Sequence, residues 1–297
     1  MPLISNVSDT ARWVAMYRAI ESQRPDALFR DPWAPRLAGE RGQEILDGMP
    51  DGKRWGWPMV VRTAVMDEII AREVHAGVDT VVNLAAGMDM RPFRLELPSS
   101  LRWVEIDLPA ILDDKIGILG QETARCRLER IAADLSQTGE RRDALARALA
   151  GSSNALIVSE GLLIYLESAQ VGALARDLAA QTAARRWLID LASPRLLEWL
   201  TPRRGKVVAA GGAPFKFGPA EGTAFFEPHG WREREFRGGI EEAQRLKREP
   251  SMMWFWQLLL RFAPPQRREA FRRLSGYVLL ERVDRTGATA APPRAGG

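Results

Sequence analysis

Cysteine and histidine are scarce in this 297-residue sequence. The single cysteine, Cys126, excludes an internal disulfide and a cysteine-based zinc site. The two histidines, His75 and His229, leave little material for a catalytic triad or a multi-histidine metal site. The longest apolar run, Met252–Leu260, contains Gln257 and is far too short to cross a bilayer. We therefore expect no metal and no membrane partner.

Lysine is also rare, because only five of the 42 basic residues are lysine and the rest are arginine. Arginine binds carboxylate and phosphate groups with two parallel donors, so its abundance is consistent with anion recognition. A GC-rich genome is the alternative explanation. The net charge of +4 is too small to require a nucleic-acid partner. Residues 1–9 are neither basic nor apolar enough for a signal peptide, which predicts a soluble, cytoplasmic protein.

The pattern of apolar residues predicts an α/β fold. Hydrophobic residues make up 46% and charged residues 27%, as in an ordinary globular chain. The predicted strands are Thr80–Ala85, Leu101–Ile106, Leu128–Ala133, Ala155–Ser159, Trp187–Leu191, Trp231–Phe236 and Tyr277–Val283. Predicted helices between them are Pro109–Leu119, Gly139–Leu149, Ser168–Thr182 and Pro194–Leu200. This alternation is typical of βαβ units and of a mostly parallel sheet covered on both faces.

The sequence divides into three predicted parts. Residues 1–78 are expected to form a helical N-terminal cap that includes the amphipathic run Pro58–His75. Residues 79–285 form the α/β core, with a helical insertion at about residues 193–274 before the last strand. Within that insertion, Trp231–Phe236 alternates apolar and charged residues, as expected of an edge or near-edge strand. Residues 286–297, rich in alanine, proline and glycine, are predicted to be a disordered tail.

Small or acidic residues follow four successive predicted strands. They are the turn Ala85-Ala86-Gly87 and the acids Asp107, Asp134 and Glu160. Small residues let a ligand approach the backbone, and an acid at the end of the second strand binds ribose hydroxyls in nucleotide-binding folds. Because the ends of parallel strands share one edge of the sheet, the set predicts a cofactor crevice. Helix capping is the alternative role for Asp107 and Asp134.

Several motifs occur in a characteristic order. They are RAIE at residues 18–21, RPDALFRDP at 24–32, NLAAGMDMRPFRL at 83–95, EIDLP at 105–109 and SEGLLIYL at 159–166. This set resembles the leucine carboxyl methyltransferase-like family, in particular its bacterial branch, over nearly the whole chain. The resemblance implies a class I methyltransferase with a Rossmann-like, seven-stranded, mostly parallel sheet. It also implies S-adenosyl-L-methionine as the cofactor.

The resemblance implies positions for that cofactor. Asp107 would bind the ribose hydroxyls, and Asp134 and Leu135 would hold the adenine. Arg62 would pair with the cofactor carboxylate, and Arg18 would be a second basic residue from the N-terminal helices. The other implied cofactor-binding residues are Asn83, Ala85, Gly87, Asp89, Leu108, Gly161 and Glu160, the last near the methionine end or the sulfonium.

Tyr165 is expected to border the transferred methyl group or the acceptor. The family usually has Gly-Ala-Gly in its first loop, whereas this chain has Ala85 at the first of those positions. Alanine tolerates a positive φ poorly. This departure motivates an alternative prediction, a non-catalytic cofactor-binding protein on the same fold.

The predicted acceptor is the carboxylate of a small aromatic or polyketide-like metabolite. A carboxyl group with a pKa of about 4 is ionised at neutral pH and requires no base, whereas a phenol with a pKa of about 10 normally requires one. The scarcity of histidine therefore favours a carboxylate. A hydroxyl or nitrogen acceptor stays open, and so does a homodimer. A nucleic-acid substrate is a further alternative that rests only on the isoelectric point near 9.5 and the arginine content.

Two groups of residues are candidates for the acceptor pocket. The tryptophans Trp55, Trp57, Trp254 and Trp256 would form an apolar pocket or lid, with core packing as the alternative for each. Arg203 and Arg204 are among the arginines that would hold an acceptor carboxylate, with a solvated surface position as the alternative. The basic cluster Arg267 to Arg273 would be a solvated helix face rather than a nucleic-acid surface.

Overall fold

A seven-stranded sheet runs through the molecule. The computed structural model describes residues 4, 7–49, 52, 56–202, 214–249 and 263–283. The strands are β1 Thr80–Leu84, β2 Arg102–Asp107, β3 Arg127–Ala132, β4 Ala155–Ser159, β5 Ala184–Ala192, β6 Trp231–Gly238 and β7 Ser275–Arg282. Each lies within three residues of its predicted bounds at either end.

The strand order is β3-β2-β1-β4-β5-β7-β6. The strands β1 to β5 are mutually parallel, whereas β7 is antiparallel to both β5 and β6. The order reverses between β1 and β4, which makes the carboxyl ends of these two strands the topological switch point where such folds bind ligands. The predicted fold class is thus confirmed, and the strand predicted at or near an edge is the edge strand β6.

Helices cover both faces of the sheet and precede its first strand. They are α1 Val7–Ser22, α2 Ala34–Gly48, α3 Trp57–His75, α4 Arg91–Arg94, α5 Pro109–Leu119, α6 Thr138–Leu149, α7 Ser168–Ala179, α8 Pro194–Leu200, α9 Gly239–Arg245 and α10 Pro265–Arg272. Short 3₁₀ turns lie at Leu163–Tyr165 and Gly222–His229. Within the insertion predicted at about residues 193–274, the structure describes α8, α9, α10 and the edge strand β6, and residues 203–213 and 250–262 lie outside the described residues. Among the described helices, none is long and apolar enough to span a membrane.

The core consists of one layer on each face of the sheet. On one face, Val82 and Ile157 pack with Leu145 of α6 and Leu174 of α7. On the other face, Val65 and Ile69 of helix α3 pack on the sheet. The sheet residues in this layer are Val81, Trp103, Val158 and Leu188. Every residue of β1 and β4 is buried, which explains why apolar residues dominate these two strands. Each fully buried aliphatic side chain contributes about 1.5–3 kcal/mol.

The N-terminal helices pack against the core through their own apolar cluster and through ion pairs. Trp13 and Tyr17 of α1 meet Ile45 of α2 and Val60 of α3 in this cluster. An ion pair joins Arg12 of α1 to α5 through the carboxylate of Asp114. Helix α1 therefore lies beside the loop that follows β1. The division of the chain into a cap and a core stays a prediction, and the predicted tail at 286–297 lies outside the described residues.

Candidate active site

The loop after β1 turns sharply at two residues with left-handed backbone conformations. Ala85 has φ of +52° and Gly87 has φ of +50°. A Cβ added at Gly87 would lie 3.4 Å from the Cβ of Ala11 in α1, so a side chain there meets both strain and crowding. Ala85 thus has the positive φ that alanine tolerates poorly, which costs about 1–2 kcal/mol of conformational free energy. Its backbone is held there, because Ala85 N donates to Ile106 O over 2.8 Å.

Asp107 joins this loop to the end of β2. Its Oδ2 accepts a hydrogen bond from Gly87 N at 2.6 Å, and its Oδ1 accepts one from Leu108 N at 2.8 Å. Burial raises the pKa of Asp107, against the opposing effect of the two backbone donors. The carboxylate does not cap α5, whose N-cap residue is Leu108 and which has no side-chain cap. The capping alternative for Asp107 is therefore wrong.

Asp134 forms a local turn after β3. Its carboxylate Oδ1 accepts from Ser136 N at 2.9 Å, and its own backbone N donates to Glu140 at 2.9 Å. Helix α6 begins after Gln137 and has no side-chain cap, so capping by Asp134 is also wrong.

A cavity of about 170 Å³ opens at the carboxyl ends of these strands. Its walls are mostly apolar, and carboxylates and an arginine supply the charged groups. The lining residues are Ala85, Asp107, Leu108, Ala133, Asp134, Leu135, Ser136, Arg141, Leu162, Leu166, Gln170 and Leu174. The cavity thus brings together five of the predicted site residues, namely Ala85, Asp107, Leu108, Asp134 and Leu135. The remaining eight predicted residues do not line it.

Most of those eight lie in or beside a network of buried ion pairs, which we call the charged cluster. Its members are Arg62, Asp67, Asp89, Arg91, Arg94, Glu160 and Asp190. Arg62 connects two of the strand ends, since its Nε donates to Glu160 at 2.9 Å and its Nη1 donates to Asp190 at 3.0 Å. Among the described residues, no hydrogen bond engages its Nη2.

Asp190 is a site residue that the sequence predictions missed. It lies near the end of β5, where its Oδ1 accepts from Gly161 N at 2.8 Å while Oδ2 binds Arg62. Gly161 has φ of +64°, and a Cβ there would lie 3.0 Å from Arg62 Nη1, so the position requires glycine. The available signal was an acid near the end of a fifth strand, which continues the pattern of Asp107, Asp134 and Glu160.

Arg91 holds the other half of the charged cluster together. It pairs with Glu160 at 2.7 Å, Asp67 at 2.7 Å and Asp89 at 3.1 Å. Asn83 Nδ2 donates at 2.8 Å to Asp89 Oδ2, the oxygen that also pairs with Arg91. Burial alone would raise the pKa of Asp89, but Arg91 and the other nearby cations outweigh it and hold that pKa at about 2. The pKa of Glu160 is lowered in the same way, because Arg91 and Arg62 outweigh its burial.

Two further cations fix the backbone of the loop after β1. Arg18 of α1 pairs with Asp31 at 2.9 Å and donates to the carbonyl of Met88. Lys115 of α5 donates to the carbonyl of Asp89 and to the carboxylate of Glu105 at 2.7 Å. Both side chains are buried, so the loop is held by helix α1 through Arg18 and by helix α5 through Lys115.

Tyr165 lies in the 3₁₀ turn after β4 and stacks on Phe215, with ring centroids 5.9 Å apart and an interplanar angle of 27°. Burial raises the pKa of Tyr165 to about 12, with Arg62 acting in the opposite direction. The phenol is therefore protonated at neutral pH. His229 is not among the residues that line the cavity, and its Nδ1 lies 3.2 Å from Arg176 Nη1.

The structure places some other predicted residues elsewhere. Trp57 packs against the layer between α3 and the sheet. In the basic helix α10, Arg272 and Arg273 form ion pairs with Glu269 at 2.7 Å. Trp55, Trp254, Trp256, Arg203 and Arg204 lie outside the described residues.

Comparisons with known proteins agree with the architecture and the sequence motifs. A family model described as leucine carboxyl methyltransferase matches residues 11–179. A protein of Streptomyces avermitilis, named as a candidate S-adenosyl-L-methionine-dependent methyltransferase, is 34% identical over 240 residues, covering 76% of this chain and 83% of that protein. A protein of Parafrankia with the same description is 32% identical over 244 residues, covering 78% of each chain.

Two solved structures share the fold at low sequence identity. A DUF574 family protein from Streptomyces avermitilis superposes with a TM-score of 0.58 at 14% identity, covering 93% of this chain and 97% of that one. A candidate methyltransferase from Thermobifida fusca gives a TM-score of 0.55 at 14% identity, covering 95% and 96%. Fold, family model and relatives agree with the predicted fold class, family and cofactor. The chain therefore belongs to the leucine carboxyl methyltransferase family and is an S-adenosylmethionine-dependent methyltransferase.

Proposed function

We propose that this enzyme acts in the cytoplasm and methylates a carboxylate oxygen of a small aromatic or polyketide-like metabolite of secondary metabolism. The single observation that carries the choice of acceptor is the state of the titratable groups beside Tyr165. Glu160 and Asp190 are both ion-paired with Arg62, and the pKa of Tyr165 is about 12. Ion-paired carboxylates are weak bases and a protonated phenol is not a base, so these groups are poorly suited to deprotonating an acceptor. An acceptor that is already ionised requires none.

The cavity fits the nucleoside end of the cofactor. Asp107 keeps lone pairs on both oxygens beyond its bonds to Gly87 and Leu108, and these accept the ribose hydroxyls. The apolar side chains of Leu108 and Leu135 give a flat ring a dry surface, and Asp134 receives the adenine amino group. The left-handed turn at Ala85 and Gly87 lets the ligand approach the backbone closely.

The methionine end of the cofactor belongs beside the charged cluster. Arg62 Nη2 would donate to its carboxylate, and Arg18 would be a second cation, supplied by helix α1. Asn83 and Asp89 hold the far side of the loop, and Gly161 leaves room for the Arg62 guanidinium. When bound, the cofactor supplies an electrophilic methyl group on a sulfonium.

The protein contributes position and charge to this transfer. The bound cofactor would supply the methyl group and its neutral thioether would be the leaving group, while the residues of the site would hold the acceptor carboxylate in place. Tyr165 and Phe215 form a stacked aromatic pair next to Arg62, which favours an acceptor that carries an aromatic or apolar body. Holding the oxygen in line with the sulfur–carbon bond is the main catalytic task, since no proton must move.

The test is a panel of paired acceptors incubated with the enzyme and S-adenosylmethionine that carries a radioactive methyl group. Each aromatic carboxylic acid, such as benzoate, is matched with the alcohol of the same ring, such as benzyl alcohol. We expect label in the acids alone. The product must release volatile labelled methanol on mild alkaline treatment, which esters do and ethers or methylamines do not.

The pH dependence supplies a second readout on the same acceptors. Because the carboxylate is ionised throughout, we expect a flat rate from about pH 6 to pH 9. A rate that rises across this range, or alkali-stable label in the alcohols, would replace the carboxylate with a hydroxyl or nitrogen acceptor. Binding of the cofactor without transfer to any acceptor would favour a non-catalytic protein.

A further inference from the structure

The charged cluster contains one more negative charge than positive charge. Its positive groups are the guanidinium groups of Arg62, Arg91 and Arg94. Its negative groups are the carboxylates of Asp67, Asp89, Glu160 and Asp190. Each carboxylate lies within 3.1 Å of at least one guanidinium nitrogen, so all seven side chains belong to one network of ion pairs. The cluster therefore has a net charge of −1.

Among the described residues, the ion pairs that flank the cluster do not cancel this excess. Beside β2 there are two cations and two carboxylates. Lys115 and Arg130 both pair with Glu105, and Lys115 also attracts the carboxylate of Asp107. On the cap side, Arg18 and Asp31 form a one-to-one pair. Within the part of the chain that the structure describes, each of these two flanking groups is balanced, so the single negative charge is assigned to the cluster.

The excess charge is poorly screened by water. The side chain of Arg91 is 2% exposed, those of Asp67 and Asp89 are 11% exposed, and that of Asp190 is 22% exposed. In such surroundings a charge acts over a longer distance than it does in water. A cation that enters beside the cluster is therefore stabilised, and a neutral group of the same shape is not.

The position of the cluster relates this preference to the cofactor. Asp89 follows the loop after β1, Glu160 directly follows β4, and Asp190 lies two residues before the end of β5. These strand ends flank the topological switch point of the sheet, where the proposed function places the methionine end. Asp190 is the most exposed of the cluster carboxylates and faces Glu160 across neighbouring strands.

We propose that the charged cluster, with Asp190 as its decisive residue, selects the cationic cofactor over its neutral product. This inference rests on the proposed function, because it requires S-adenosylmethionine to bind at this site. Transfer of the methyl group removes the positive charge from sulfur, so S-adenosylhomocysteine loses the interaction that retained its precursor. The enzyme then releases its product readily and is weakly inhibited by it.

The test compares the affinities of two ligands by calorimetric titration of the full chain. S-adenosylmethionine and S-adenosylhomocysteine share the adenosine, the ammonium and the carboxylate, so the ratio of their dissociation constants reports on the charge at sulfur. We expect S-adenosylmethionine to bind about tenfold more tightly, the effect of one unscreened charge at moderate distance. Sinefungin, which carries an amine in place of the methylsulfonium, should follow the cofactor because it keeps the positive charge.

Asp190→Asn removes the excess charge and keeps an oxygen for Gly161 N. We expect the tenfold ratio to fall to about one in this variant, mainly through weaker binding of S-adenosylmethionine. Asp79→Asn is the matched control, because Asp79 is a carboxylate at the amino-terminal edge of the same sheet, where it binds Ser152 and Ser153. The control should keep the wild-type ratio.

The outcomes separate this inference from the function on which it rests. Equal or tighter binding of S-adenosylhomocysteine to the wild-type protein would overturn the inference and leave the cofactor site intact. A ratio that survives Asp190→Asn would also overturn it. If neither ligand binds the wild-type protein, the proposed site itself fails. The wild-type comparison needs no substitution, so it stays decisive even if Asp190→Asn does not fold.

Discussion

The carboxylate of Asp107 binds the backbone N–H of Gly87 at 2.6 Å, across 20 residues of sequence. This bond fastens the loop after β1 to the end of β2. It places an acid, a left-handed turn and an apolar cavity at one point of the sheet. The same carboxylate therefore has a structural role and a proposed role in binding ribose.

Asp107→Ala should weaken binding of S-adenosylmethionine by about 1–3 kcal/mol, because both the ribose contacts and the anchor for Gly87 are lost. Calorimetric titration measures the change. Asp113→Ala is the control, since Asp113 is an exposed carboxylate on the adjacent helix α5 and should leave the affinity unchanged. Unaltered affinity in Asp107→Ala would remove this residue from the cofactor site.

Ala85→Gly should stabilise the protein by about 1 kcal/mol, because glycine adopts a positive φ without the penalty that alanine pays. Ala86→Gly is the matched control at the next position, where φ is not positive. There the glycine should destabilise by about 0.5–1 kcal/mol through its greater freedom in the unfolded chain. Urea denaturation measures both, and a destabilised Ala85→Gly variant would contradict the strain described for this turn.

Arg62→Met should destabilise the protein by about 3–5 kcal/mol, since it leaves Glu160 and Asp190 short of a buried partner. Arg72→Met is the control on the same helix. Arg72 is 47% exposed and pairs with Glu73 and Glu235, so its loss should cost less than about 1 kcal/mol. Similar losses in the two variants would mean that the charged cluster contributes no more than a surface pair.

Acid should destabilise the protein through Asp89. Its pKa in the folded state is about 2, below the ordinary value of 3.8, so the native state binds the proton less readily than the unfolded chain. The resulting stability is fully present above about pH 4 and is lost as the pH falls through the folded pKa, an effect of about 2 kcal/mol. Urea denaturation between pH 7 and pH 2 measures this loss.

Asp89→Asn supplies the comparison for that measurement. Its stability should decline less steeply than that of the wild type between pH 4 and pH 2, because the group with the lowered pKa is gone. Asp113→Asn, at an exposed position, should follow the wild-type curve. Parallel curves for the wild type and Asp89→Asn would show that other carboxylates cause the acid sensitivity.

The sequence was sufficient for the fold class and for five of the residues that line the cavity. Buried strands such as β1 and β4 consist mainly of apolar residues, and the parallel arrangement follows from helices that alternate with them. Parallel strands bring their carboxyl ends to one edge, so Ala85, Asp107 and Asp134 could be placed together before their contacts were known. These features depend on local periodicity and on residues next to strand ends.

Only the tertiary structure decided the position of β7 and the partners of the buried charges. The last strand lies between β5 and β6 because it pairs with both, which its own sequence does not encode. Asp190 and Arg62 are 128 residues apart in sequence and form one ion pair. Local patterns specify which side chains are buried, but packing over long sequence distances decides which buried charges meet. That packing gives the charged cluster its net charge.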